Sequence, residues 1–251
     1  MTGLEESTGW FGLVSGALVG LVLGSFAGMA SWRWPRDESW MGASHCPVCK
    51  HRLGFSELVP VVSWLLQRGR ARCCGAALSW HYPAVELVTA ALAAAAGWRY
   101  GLSPEFVLLT ALVCTLVIAS AIDLACGLIP DGANLAVGLL GAGWLALHPP
   151  SVWWMPVLAV AQAGGVGVLL AFGYSKLRGR DMLGWGDVKL MAASGLWIRA
   201  DLVPPYLLLG GFLGLVFGVL WKQTGRGEEF PFGPSLAVGL LALICWQALA
   251  G

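Results

Sequence analysis

The chain has 251 residues, 57% of them hydrophobic and only 12% charged, with a net charge of +1 at neutral pH. A soluble domain of this length carries about 25% charge, so the composition points to an integral membrane protein in a lipid bilayer. The small net charge gives no basis for a polyanionic partner, and no nucleic acid is expected.

Eight apolar runs follow in chain order as candidate spans: Phe11–Ser31, Pro83–Trp98, Pro104–Ile122, Ala133–Leu147, Val152–Tyr174, Val188–Ile198, Val203–Trp221 and Pro231–Ala250. The first follows the acidic segment MTGLEESTG and has no small-residue cleavage site after it, so it reads as a retained span rather than a signal peptide. Full crossing takes roughly 20 residues. The second, fourth and sixth runs are shorter, and need flanking polar residues inside the helix or a locally thinned bilayer. Trp32, Trp98, Trp153, Trp197 and Trp221 lie near run ends, where an indole satisfies both its ring and its N–H among headgroups. The expected architecture is an all-α polytopic membrane protein with about eight transmembrane helices. Its parts are a first helix (1–31), a polar, cysteine-containing loop (32–82) and a membrane-embedded segment (83–251).

With the N-terminus outside, one side of the membrane receives 13 of the 15 Lys and Arg residues, including those between Arg33 and Arg72. The other side receives Arg99 and Arg199. The positive-inside rule makes the first side cytoplasmic, and the loop with it. That loop is too short for much of a core and needs a staple or the membrane helices to stay folded.

Four Asp residues fall at helix boundaries on this cytoplasmic face. Asp123 closes the third span, Asp131 opens the fourth, and Asp181 and Asp187 lead into the sixth. Two Asp brought close together share one proton. The charged partner then acts as a base on water while the protonated one polarises a carbonyl, as in aspartic proteases. Gly184 and Gly186 remove bulk just before Asp187. The competing reading is that Asp131 and Asp187 only cap helix N-termini. A second rival is a transporter or assembly factor whose acidic cluster carries ions. Transport places carboxylates near mid-span in broken helices, whereas these lie at helix ends.

Of seven Cys, Cys114, Cys126 and Cys245 lie in or beside apolar runs and read as core. Cys46-Pro-Val-Cys49 has the spacing of a zinc knuckle. Cys73 and Cys74 are its partners in the loop, with His45 or His51 as alternative nitrogen donors.

GWGDVKL (Gly184–Leu190) looks like the GxGD signature of membrane aspartyl proteases. The whole chain resembles the type IV prepilin peptidases, bifunctional leader peptidase/N-methyltransferases. The resemblance runs in order through GSFAGMASWRWP (Gly24–Pro35), the cysteine loop (Ser44–Gly75), SWHYPAVEL (Ser79–Leu87), IDLACGLIPD (Ile122–Asp131), GRDMLGWGDVKL (Gly179–Leu190) and FPFGPSLA (Phe230–Ala237). It implies Asp123 and Asp187 as the catalytic pair, with Asp131, Asp181, Lys189, Gly184 and Gly186 as accessory positions. It also implies prepilins or pseudopilins as substrates, an inner-membrane location and S-adenosylmethionine as methyl donor; a structural zinc is expected on Cys46, Cys49 and Cys74 with Cys73 as the fourth thiol. Two departures stand out. The family's second C-x-x-C reads ARCCG here, with Ala71 at the first position and Cys73 extra. Gly28 replaces the usual Asn after GSF.

Overall fold

The computed structural model describes residues 3–178, 183–223 and 230–250. Among them the chain is helical, apart from two isolated antiparallel bridges, His45–Arg52 and Arg70–Ala77. The helices are α1 (Gly3–Arg33), α2 (Val62–Leu66), α3 (His81–Tyr100), α4 (Pro104–Cys126), α5 (Asp131–Leu147), α6 (Met155–Arg178), α7 (Trp185–Ser194), α8 (Val203–Gln223) and α9 (Gly233–Ala250). Short 3-10 turns lie at Trp34–Arg36, Phe55–Glu57 and Ala200–Leu202.

The boundaries have local causes. Pro35 ends α1, because the residue before a proline is pushed out of the helical region. Pro104 opens α4, where its missing N–H is no loss. Gly127, with φ +67°, ends α4 by returning its N–H to the Asp123 carbonyl at 2.7 Å. Asp123 therefore sits in the last turn of a long apolar helix.

Four stretches are long and apolar enough to cross a membrane: Gly9–Arg36, Pro104–Cys126, Met155–Gly173 and Ala200–Gln223. Asp131–Leu147 and Gly233–Leu249 are shorter apolar helices. The sixth expected run is the most altered. Its helix, α7, has 10 residues, about 15 Å at 1.5 Å per residue. Turns follow at Gly195 to Trp197, whose N–H groups bond back to Ala192, Ala193 and Ser194.

The chain divides into two compact units, Met1–Ile118 and Ala119–Gly251. In the first, α1 and α3 pack with almost no side-chain layer between them. A Cβ on Gly16 would lie 2.5 Å from the Ala93 carbonyl, one on Gly20 would lie 2.6 Å from Ala90 Cα, and one on Gly24 would lie 2.6 Å from Glu86 Cα. Small residues at every fourth position allow this backbone approach, which supplies packing where lipid offers no hydrophobic drive. In the second unit α7 is the centre, packed against α5, α6 and α9. Its far end is fixed by polar contacts. Buried Tyr206 donates to Ser194 Oγ at 3.2 Å, Trp197 Nε1 donates to the Val137 carbonyl at 3.0 Å, and Gln247 Nε2 donates to the Trp197 carbonyl at 3.0 Å.

Gly20→Ala should lower the thermal stability of the detergent-solubilised protein by about 1–3 kcal/mol, the usual cost of overpacking. Gly165→Ala, where a Cβ meets nothing within 4 Å, should leave the melting temperature unchanged or slightly raised. Equal effects at the two positions would show that the α1–α3 approach is looser than described.

Candidate active site and thiol cluster

Asp123 is almost wholly buried, at 4% exposure. Its Oδ2 accepts the Gly233 N–H at 2.7 Å, from the first residue of α9. The contact is specific to glycine: a Cβ on Gly233 would lie 2.8 Å from the same oxygen and 3.0 Å from Ile129 Cδ1. Ile129 is also the neighbour of Gly186, where a Cβ would lie 3.0 Å from Ile129 Cβ and 3.1 Å from its carbonyl oxygen. One buried side chain thus separates the Asp123–Gly233 contact from the residue before Asp187.

Asp187 lies in the first turn of α7, but Gly184 and not Asp187 is the capping residue. Asp187 Oδ1 is buried with no hydrogen-bond partner. A capping carboxylate has its oxygen on a backbone N–H of the first turn, so this oxygen does no capping. Asp131 is likewise not a cap, since Pro130 holds that position. Asp131 Oδ1 accepts a 2.6 Å bond from Lys189 Nζ, tying the start of α5 to α7. Gly184 lies against Asp187, with a Cβ there 3.1 Å from Oδ2. Asp181 lies outside the described residues.

In the other unit, the sulfur atoms of Cys46, Cys49, Cys73 and Cys74 all lie within 4.8 Å of one another. His45 and His51 supply no atom to this group. Two turns of matching geometry present the sulfurs. Cys46 N–H bonds the His51 carbonyl while its own carbonyl accepts from Lys50; Ala71 N–H bonds the Ala76 carbonyl while its own carbonyl accepts from Gly75. Ala71, buried at 4%, therefore fills the place that Cys46 has in the first turn, and Cys74 matches Cys49. Cys73 supplies the fourth sulfur, 3.2 Å from Cys49. Backbone N–H groups of Cys49 and Val48 directed at Cys46 pull its thiol down to about 7. The hydrogen bond to Cys49, followed by burial, pushes Cys73 up to about 12. Four such thiols can hold a metal ion, which would replace their protons.

Comparison with known proteins gives these sites a context. Residues 18–100 match the bacterial peptidase A24 N-terminal domain, and residues 110–219 match the type IV leader peptidase family. The chain is 32% identical to the prepilin leader peptidase/N-methyltransferase of Xanthomonas campestris pv. campestris, across 98% of this chain and 95% of that one. The chain belongs to the type IV leader peptidase family. Proteins of the same name from Dickeya chrysanthemi (34% identity, 90% of each chain) and Bacillus subtilis (32%, 88% of this chain and 89% of the other) are also similar. No solved structure matches the chain. Membership makes the chain a prepilin peptidase-type enzyme and sets aside the transporter reading.

Three residues that sequence reasoning did not single out help to build this candidate site. Gly233 supplies the donor to Asp123. Ile129 is the wall between the two acidic positions. Asn134, 6% exposed, donates its amide to the Gly186 carbonyl at 3.2 Å and so fixes the entry to α7. All three belong to quoted motifs or their immediate flanks, but only the fold brings them together.

Asn134→Leu would leave the Gly186 carbonyl without its donor and should destabilise the folded protein by about 1–3 kcal/mol. Lys189→Met breaks an exposed ion pair and should cost less than about 1 kcal/mol. Thermal unfolding in detergent compares them; the reverse order would mean that the ion pair, not the buried amide, fixes α7.

Proposed function

We propose that the chain is an inner-membrane aspartyl endopeptidase that removes the basic leader from type IV prepilins or pseudopilins at the cytoplasmic face. The chain would cross the bilayer eight times, with the segment 32–82 as a cytoplasmic loop and 83–251 as the peptidase part. The 13-to-2 asymmetry of basic residues supports this orientation. The observation that carries the reading is the pairing of a buried Asp123, held by the Gly233 N–H, with an Asp187 oxygen that has no protein partner. A buried carboxylate oxygen without a bond is costly for the fold, and a catalytic role accounts for it.

In this reading the two carboxylates share one proton. The ionised one takes a proton from water as the hydroxide attacks the scissile carbonyl carbon. The protonated one donates to the carbonyl oxygen as it gains charge. Collapse of the tetrahedral intermediate breaks the C–N bond, and the departing nitrogen takes up a proton to become the mature N-terminus. Asp131 and Lys189 would hold α5 to α7 rather than touch the reacting atoms, and Asp181 would be an accessory acid. The relatives' names couple cleavage to N-methylation, for which S-adenosylmethionine would supply an electrophilic methyl group. Zinc is the proposed ion for the thiol cluster, because four close sulfurs suit its tetrahedral preference.

Asp187→Asn and Asp123→Asn should each abolish leader removal from a purified prepilin while leaving the protein folded, since the side chains are nearly isosteric. Cleavage at wild-type rate by Asp187→Asn would remove this residue from the chemistry, because Asn serves well wherever Asp only caps. Metal analysis should find about one zinc per chain, lost on joint replacement of Cys46 and Cys49 by Ser. A metal-free, fully folded wild-type preparation would argue against the staple.

A further inference from the structure

The five-residue helix α2 presents an apolar face that no described residue covers. Val62, Leu65 and Leu66 fall at i, i+3 and i+4, so they share that face. They are 50, 59 and 71% exposed. The other face is committed. Ser63, Trp64 and Gln67 line a cleft against α1 and α3, as do Arg33 and Glu86. A helix this short does not hold itself together in water, so its attachments decide where it lies.

Those attachments set its depth. Glu86, in the second turn of α3, accepts the Val61 N–H at 2.7 Å. The bond holds Val61 at φ +61°, a conformation that a β-branched residue rarely adopts. Trp64 packs on Trp80, just before α3, with ring centroids 4.3 Å apart. A Cβ on Gly24 would lie 2.6 Å from Glu86 Cα. Glu86 is therefore level with Gly24, well inside the stretch Gly9–Arg36 that is long and apolar enough to cross a membrane. From Gly24 to Arg33, the last residue of α1, is about 13 Å at 1.5 Å per residue. The chain folds back over much of that distance before α2 begins. A Glu side chain leans toward the N-terminus of its helix, so α2 lies nearer the water than Glu86 itself. That places its apolar face at the boundary between headgroups and acyl chains.

Positive charge follows directly. Arg68 and Gly69, with φ +51° and +68°, turn the chain off α2, and the Gly69 N–H closes the helix on the Trp64 carbonyl at 3.0 Å. Arg68, Arg70 and Arg72 are all exposed, while Ala71 between the last two is buried. No described residue forms an ion pair with these three. Other cations of the loop are engaged. Arg33 donates to the Ser39 and Ala43 carbonyls at 2.9 and 3.3 Å, Lys50 pairs with Glu38 at 2.8 Å, and Arg36 stacks on Trp32 at 3.6 Å. An apolar face beside free guanidinium groups fits an anionic lipid surface. The side chains enter the acyl boundary, and the guanidinium forks take phosphate oxygens. The same charge repels a basic peptide or the matching face of a second copy. We propose that residues 62–72 are an interfacial anchor that docks on anionic phospholipid beside α1 and α3. The proposal rests on α1 crossing the bilayer, and not on the roles given to Asp123 and Asp187.

The test uses the full-length protein in nanodiscs of phosphatidylcholine alone, or of equal parts phosphatidylcholine and phosphatidylglycerol. A photoreactive benzoylphenylalanine in place of Leu66 should form adducts with lipid, read by mass spectrometry. Amide hydrogen exchange over residues 62–72 should slow when phosphatidylglycerol is present, by about fivefold for each arginine that reaches a headgroup. Changing Arg68, Arg70 and Arg72 together to Gln should abolish that difference between the two lipids. Salt at about 1 M should do the same in the wild-type chain, by screening the charges. The melting temperature in detergent checks that the triple variant is folded, and if it is not, the salt comparison decides alone. Equal exchange in the two lipids overturns the proposal. So do adducts with an added prepilin or a second copy in place of lipid. Failure to enter nanodiscs at all would overturn the membrane reading as well, whereas entry without lipid adducts overturns the anchor alone.

Discussion

A carboxylate at the end of an apolar helix can be kept only if hydrogen bonds or a shared proton meet the loss of water, which otherwise costs several kcal/mol. The second unit is arranged around that constraint. Asp123 comes at the last turn of α4, so its side chain lies at the helix end rather than in the apolar middle. The bond from Gly233 comes from the first residue of α9, one of the helix N–H groups that has no partner of its own. One pairing thus satisfies two groups that would each be costly alone. It also forces residue 233 to be glycine, because any Cβ would occupy the space of the carboxylate.

The shortness of α7 follows from the same arrangement. Asp187 has to begin a helix close to Asp123, and α5, α6 and α9 already surround that position. A 10-residue helix with a fixed far end is a rigid mount. The Ser194–Tyr206, Trp197–Val137 and Gln247–Trp197 bonds hold that end, while Asn134 holds the entry. The exposed Lys189–Asp131 pair adds orientation more than free energy. Rigid support from packed neighbours is what the proposed pairing of Asp187 with Asp123 requires, since small displacements of reacting groups are expensive in rate.

Much of this was legible in the sequence because composition and order carry it. Low charge, long apolar runs and Pro or Gly at their ends located α1, α4, α6 and α8 closely. The helix-boundary positions of Asp123, Asp131 and Asp187 were legible for the same reason. The sixth run was not: Val188–Ile198 is apolar apart from Lys189 and Ser194, and hydropathy cannot reveal that the chain leaves the helix at Gly195. A Cβ at that residue would lie 2.6 Å from Val160 N, which is a tertiary cause. The N-cap position was not legible either, since it depends on which residue has extended backbone: that residue is Gly184 with ψ 144°, and Asp187 lies in the first turn after it.

The cysteine loop gives the opposite lesson. Spacing alone made Cys73 and Cys74 awkward partners, since adjacent residues point their side chains apart in extended chain. The fold resolves this through the two matching turns. Ala71 keeps the backbone role of the first knuckle residue, and its methyl group is buried where a sulfur would be. Cys73, at the place that Val48 has in the first turn, swings its sulfur to within 3.2 Å of Cys49. The turn therefore survives loss of its first ligand because its backbone bonds, not the ligand, define its shape. The loop has little else to hold it. Between α1 and α3 it contains one five-residue helix and two 3-10 turns, and Phe55 and Leu66 are 94% and 71% exposed. With so little apolar burial, the loop depends on its sulfur cluster, the Arg33 contacts and the Glu86–Val61 bond, and the last two also shape the cleft beside it.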